Sequence, residues 1–170
     1  MSAQEIAFGI VGAVGALSAI RMVTTNNVVH GALYLVVTLA MVGGAYLLLA
    51  AEFVAWVQIV IYVGAIVVLL LFSLMLTKAP IGPHALDNQQ RGLGALVAAA
   101  VFAGLVVLIQ RAFSGIQFSA GDPGRVAAGK AKAIGSSIFG HYVLPFEVVS
   151  VLLLAALVGA VVIARRDERP

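Results

Sequence analysis

Apolar residues in this chain come in long blocks separated by short polar stretches, and block length predicts the elements. Between Glu5 and Arg21 lie fifteen uncharged residues, enough for a first span once the flanking residues are included. From Val28 to Leu76 only Glu52 interrupts the apolar run. As one helix that run would be ~74 Å long, more than twice a hydrocarbon core ~30 Å thick, so it has to fold back on itself. The reversal belongs at Leu49 to Phe53, around its single charge, which predicts a helical hairpin with almost no loop. Asn26 and Asn27 are suited to cap the start of its first arm. Two prolines, a glycine and several amide side chains make Lys78 to Arg91 a loop, and a fourth span follows from Gly92 to about Ile109. The stretch from Phe113 to Tyr142, with Asp122-Pro123-Gly124, Arg125, Lys130 and Lys132, is too polar to cross a bilayer and reads as the longest loop. A last block opens at Leu144-Pro145-Phe146-Glu147 and closes at Ala164-Arg165-Arg166. The expected fold is an all-α integral membrane protein, one membrane domain over 1–170. Its five spans lie near 4–21, 28–50, 53–77, 92–110 and 145–164, with 111–143 outside the membrane.

The third span carries polar groups into the bilayer. Counting ~1.5 Å per residue from Phe53, Gln58 sits roughly 8 Å deep and Tyr62 roughly 14 Å, where there is no water to satisfy them. Four apart on a helix, they share a face with Ala55, Ala65 and Ser73, a small or polar stripe that predicts a partner helix there. In the first span Gly9/Ala13, Gly12/Ala16 and Gly15/Ala19 are small residues at the spacing that lets another backbone approach.

Composition agrees with the pattern: 62% of the 170 residues are apolar, 10% are charged and the mean hydropathy is +1.12, far from a soluble domain. The absence of cysteine excludes disulfides and thiolate metal or cluster sites, and His30, His84 and His141 are too scattered for ligand spacing. Met1 to Glu5 is acidic where a cleaved leader would be basic, so the first span is expected to stay. A net charge of +3 spread between spans argues against nucleic acid as a partner and is better read as orientation. Five spans place Arg21, Lys78, Arg91, Arg165, Arg166 and Arg169 on one side and Arg111, Arg125, Lys130 and Lys132 on the other. The positive-inside rule then puts the N-terminus outside and the C-terminus in the cytoplasm. Glu5, Glu52 and Glu147 each stand at the start of an odd-numbered span, on one membrane surface. They suit the positive ends of helix dipoles, each interaction contributing ~0.3 to 1 kcal/mol, and a sharper reading makes them the mouth of an ion path. No Asp, Glu, Lys or Arg lies at mid-span, although ion carriers normally need one there. With no catalytic, cofactor or metal constellation either, the chain is expected to act through partners.

Three motifs point to a family. Glu52-Phe53, Gln58-Ile59 and Tyr62-Val63-Gly64-Ala65-Ile66 resemble the third-span motif of the subunit J family of bacterial NADH-quinone oxidoreductase, respiratory complex I, the equivalent of mitochondrial subunit six. Leu144-Pro145-Phe146-Glu147-Val148-Val149-Ser150 is similar to the start of that family's last span. Asn26-Asn27-Val28-Val29-His30-Gly31-Ala32-Leu33 is similar to its Asn-Pro-Val-His-Ser-Ala-Leu pattern, with Asn27 in place of proline and Gly31 in place of serine. The resemblance implies a five-span, non-catalytic membrane-arm subunit that couples quinone reduction to proton translocation and is embedded among other complex I subunits and lipid in the bacterial inner membrane. It also implies that quinone, FMN and iron–sulfur clusters belong to those other subunits, and that a π-bulge at Tyr62, Val63 and Gly64 switches between states. The third-span polar face (Gln58, Tyr62, Ser73) and the surface carboxylates Glu52 and Glu147 are the remaining candidate functional residues. A membrane subunit of a related cation/proton antiporter or membrane-bound hydrogenase is the alternative.

Overall fold

The computed structural model describes residues 3–77, 91–115 and 123–165, so most of the loop expected from Lys78 to Arg91, and the basic residues Arg166 and Arg169, lie outside the described residues. Among the described residues all regular structure is helical, and five helices are long and apolar enough to cross a bilayer. The first two are α1 (Ala3–Thr24) and α2 (Val28–Leu48). The third span is continuous over Glu52–Leu76 but changes winding twice: α3 (Glu52–Val57), a π-helical segment (Gln58–Ile66), then α4 (Val67–Leu76). The fourth is α5 (Arg91–Phe113) and the fifth α8 (Val143–Ala164). The connection expected as a long loop contains two short helices, α6 (Pro123–Ala128) and α7 (Ala131–Gly140).

Local chemistry explains the ends. Asn27 caps α2, its Oδ1 accepting from the backbone N–H groups of Val29 at 2.9 Å and His30 at 3.3 Å. The hairpin turn after α2 is a Schellman motif: Ala51 N–H donates to Tyr46 O at 2.9 Å and Ala50 N–H to Leu47 O at 3.1 Å. Its left-handed residue is Ala50, with φ 59°, where glycine is the usual choice. A Cβ in that conformation costs about 1 to 2 kcal/mol, so the reversal holds because both arms are anchored in packed helices.

The centre of the molecule is α2, flanked by α1 and by the third span. Gly15 faces the Cβ of Met41, and a Cβ on it would come within 3.1 Å of that atom, which is how closely α1 and α2 approach. Gln4 ties the start of α1 to the end of α2 by donating to the Leu48 carbonyl. Among the described residues α5 touches no other element and α8 touches only α7. Spans one to three thus form a packed unit, while spans four and five present apolar sides all round, from Leu93 and Phe102 on α5 to Leu152 and Ile163 on α8.

Candidate functional site

The site is built on the third span where it crosses α2. Residues Gln58 to Ile66 contain no proline and would suit a regular helix, yet they wind with an extra residue per turn: the Val67 N–H donates to Tyr62 O, five residues back. Gln58, at the head of this segment, is 8% exposed, and its Nε2 donates to the backbone carbonyl of Leu39 on α2 at 3.4 Å. The close approach depends on Gly43 of α2: a Cβ there would meet Ile59 Cγ1 at 3.1 Å and Gln58 Cγ at 3.6 Å. Nothing in the apolar pattern singled out Gly43 or the Leu39 carbonyl. The adjacent pair Gly43-Gly44 within the second span was the available signal.

Burial shows what the wide turns accomplish. Ala55, Gln58 and Val67 are buried, at 0%, 8% and 1% exposure, and among the described residues α2 is the only neighbouring helix against which α4 packs. Nine residues separate Gln58 from Val67. In a regular α-helix that is about two and a half turns, which would put Val67 on the opposite face from Gln58. Widening the turns brings it back, so both halves of the span lie against α2. Below the segment the buried side resumes helical spacing, Val67, then the half-buried Leu71 and Leu74.

Of the other candidate residues, Tyr62 is 45% exposed and Ser73 is exposed, so they do not share the covered side with Gln58. Val63 is half-buried and Gly64 exposed. A Cβ at Gly64 would sit 3.5 Å from Ile59 O, an ordinary contact. Glu52 is the first residue of α3, and Glu147 is the fifth of α8, about 6 Å along its axis. Both are exposed. Among the described residues their elements are joined only through α7, which touches α3 and α8. No three of the described His, Asp and Glu residues come together as metal ligands. The arrangement sets the facing of α4 relative to α3, so that Gln58 and Val67 lie on the same side of the span.

Comparison with known proteins adds identity to this geometry. Residues 18–163 match the model of the family described as NADH-ubiquinone/plastoquinone oxidoreductase chain 6. The chain is 39% identical over 169 residues to NAD(P)H-quinone oxidoreductase chain 6 of Leptolyngbya boryana, covering 98% of this chain and 82% of the relative. It is 37% identical over 167 residues to F(420)H(2) dehydrogenase subunit J of Methanosarcina mazei, covering 96% and 92%. To NADH-quinone oxidoreductase subunit J of Escherichia coli it is 34% identical over 168 residues, covering 97% and 89%.

Proposed function

The chain belongs to the NADH-ubiquinone/plastoquinone oxidoreductase chain 6 family, membrane subunits of proton-pumping NADH-quinone oxidoreductase, and from that premise we propose that its third span is a two-state element coupling quinone reduction to proton translocation. The observation that carries this reading is the π-helical segment, Gln58 to Ile66, across which the buried side of the span stays on α2. Relaxing it by one residue turns α4 by about 100° and takes Val67 off α2. In water, exposing such a residue would cost about 1.5–3 kcal/mol. In a bilayer the chains of lipid are as apolar as the helix that Val67 leaves, so only close packing is lost. The anchor on the other half is equally modest, since hydrogen bonds between membrane helices average about 0.6 kcal/mol. Two windings a few kcal/mol apart form the kind of bistable element that a neighbouring reaction can bias.

In this reading Tyr62 and Ser73 lie on the side that neighbouring subunits and water reach, and turning α4 makes or breaks a hydrated link to carboxylates that those subunits supply. This chain holds no charged residue at that depth to supply one. Spans four and five are the surfaces through which other subunits and lipid hold it. Quinone, FMN and iron–sulfur clusters sit in those partners. The relatives carry three different electron donors in their names, NAD(P)H, F(420)H(2) and NADH, which supports a donor chosen by a separate module. The chain lies in a bacterial inner membrane with its N-terminus outside. Structures of the whole complex with quinone bound and at rest test the coupling: the expected result is a π segment in one and regular helix in the other. An identical third span in both would leave the chain a scaffold. Proteins that copurify in mild detergent test the assembly, and the absence of flavin and iron–sulfur subunits would count against NADH:quinone chemistry and for an antiporter.

A further inference from the structure

Gly129, between α6 and α7, lies against the hairpin turn that opens the third span. Its carbonyl oxygen accepts the Phe53 N–H at 3.1 Å. That donor belongs to the first turn of α3, whose N-terminus has no side-chain cap, so a residue far along the chain supplies the missing acceptor. The approach is close enough to exclude a side chain. A Cβ on Gly129 would run into the Ala50 carbonyl oxygen, with the Ala50 carbonyl carbon at 3.0 Å and Ala51 Cα at 3.3 Å. On the other side of this joint α7 packs against the head of α8, where the rings of Phe139 and Phe146 meet edge to face with centroids 5.2 Å apart. The route α8, α7, Gly129, α3 is the one connection, among the described residues, between the fifth span and the packed unit of spans one to three.

We infer that residues 123–142 form a strut at the membrane surface that sets the position of the third span against the fifth, with Gly129 as its bearing point. From Phe53 the π segment begins five residues on, about 8 Å along the axis, so the strut fixes the end of the lever on which that segment is built. The inference concerns how the span is held. It stands whether or not the π segment switches.

The test is hydrogen exchange on the assembled complex in detergent, read on peptides covering 50–57 and 30–40. In Gly129→Val the joint opens, and the Phe53 amide is expected to exchange at least tenfold faster while the α2 peptide is unchanged; Gly129→Ala gives a smaller change of the same sign. Ala128→Val, one residue away and exposed, is the control and should leave both peptides alone. Unchanged exchange at Phe53 in both Gly129 variants, or an equal effect from Ala128→Val, overturns the strut. Failure of Gly129→Val to assemble while Ala128→Val assembles normally supports it, and Gly129→Ala then carries the exchange measurement. Altered exchange upholds the strut whatever proton pumping does, and the switching of the third span is tested by pumping in Gly64 variants, so the two ideas fail separately.

Discussion

Gly64 is where the winding of the third span can be changed with the least collateral damage. It is exposed and its backbone is not left-handed, and a Cβ placed on it meets only Ile59 O at 3.5 Å, so Gly64→Ala fits the π form without displacing anything. Any effect must therefore come from conformational preference. Alanine is favoured over glycine in a helix interior by up to ~1 kcal/mol, and if all of that favours the regular winding, the ratio of the two states shifts about fivefold. Gly64→Val places a whole isopropyl group beside the Ile59 carbonyl, a neighbour it owes to the wide turn, and is expected to push further toward regular helix. The assay is the assembled complex in proteoliposomes, with quinone reductase turnover and proton uptake measured together. The expected outcome is normal assembly, with turnover or protons pumped per quinone falling moderately in Gly64→Ala and strongly in Gly64→Val. If Gly64→Val assembles, shows regular helix at 58–66 and pumps as the parent does, the third span is not a coupling element.

Further outcomes follow from the same geometry. Tyr62→Phe removes one hydroxyl from an exposed position, and if that hydroxyl joins a water chain, proton uptake should fall while complex yield and quinone reduction in uncoupled membranes stay normal. Gly43→Leu should separate α2 from the third span and lower the thermal midpoint of the complex, since overpacking of this kind costs about 1–3 kcal/mol and Ile59 already lies at contact distance. Glu52→Gln and Glu147→Gln should each cost at most ~1 kcal/mol of stability if they only suit their helix ends; loss of pumping with full assembly would instead put them on an ion path. A cysteine in place of Arg165, in this cysteine-free chain, should resist an impermeant thiol reagent in intact cells and react in inverted vesicles, and the opposite pattern would reverse the orientation.

The five spans were legible because bilayer thickness dictates how long an apolar helix must be, and a run from Val28 to Leu76 can satisfy that only by turning back. The turn itself had no residue signature: its left-handed position is Ala50, and only the charge of Glu52 and the arithmetic of length located it. The two helices in the polar connection were hidden for a different reason. Glycines and serines are loop formers by composition, and only the spacing of Ile134 and Ile138 hinted that α7 has a side to bury. The contact of Gly129 with Ala50 joins residues far apart in sequence, and nothing local encodes it.

The winding of the third span lies between these cases. Its location came from resemblance to a family, because Gln58 to Ile66 carries no proline or polar break that forces a wide turn, and Gly64 is the one weak point. The signal that would have found it physically is a phase error. A helix lying against one neighbour should bury positions on a single 3.6-residue stripe, and no such stripe contains both Gln58 and Val67. Both are nevertheless required against α2, Gln58 because its amide has no water at that depth and finds the Leu39 carbonyl, Val67 because α4 has no other neighbour among the described residues. Two packing demands half a turn out of phase with each other are met by widening the turns along the whole segment from Gln58 to Ile66. In the proposed coupling, it is this widened segment, where the demands of the two halves meet, that a neighbouring subunit biases.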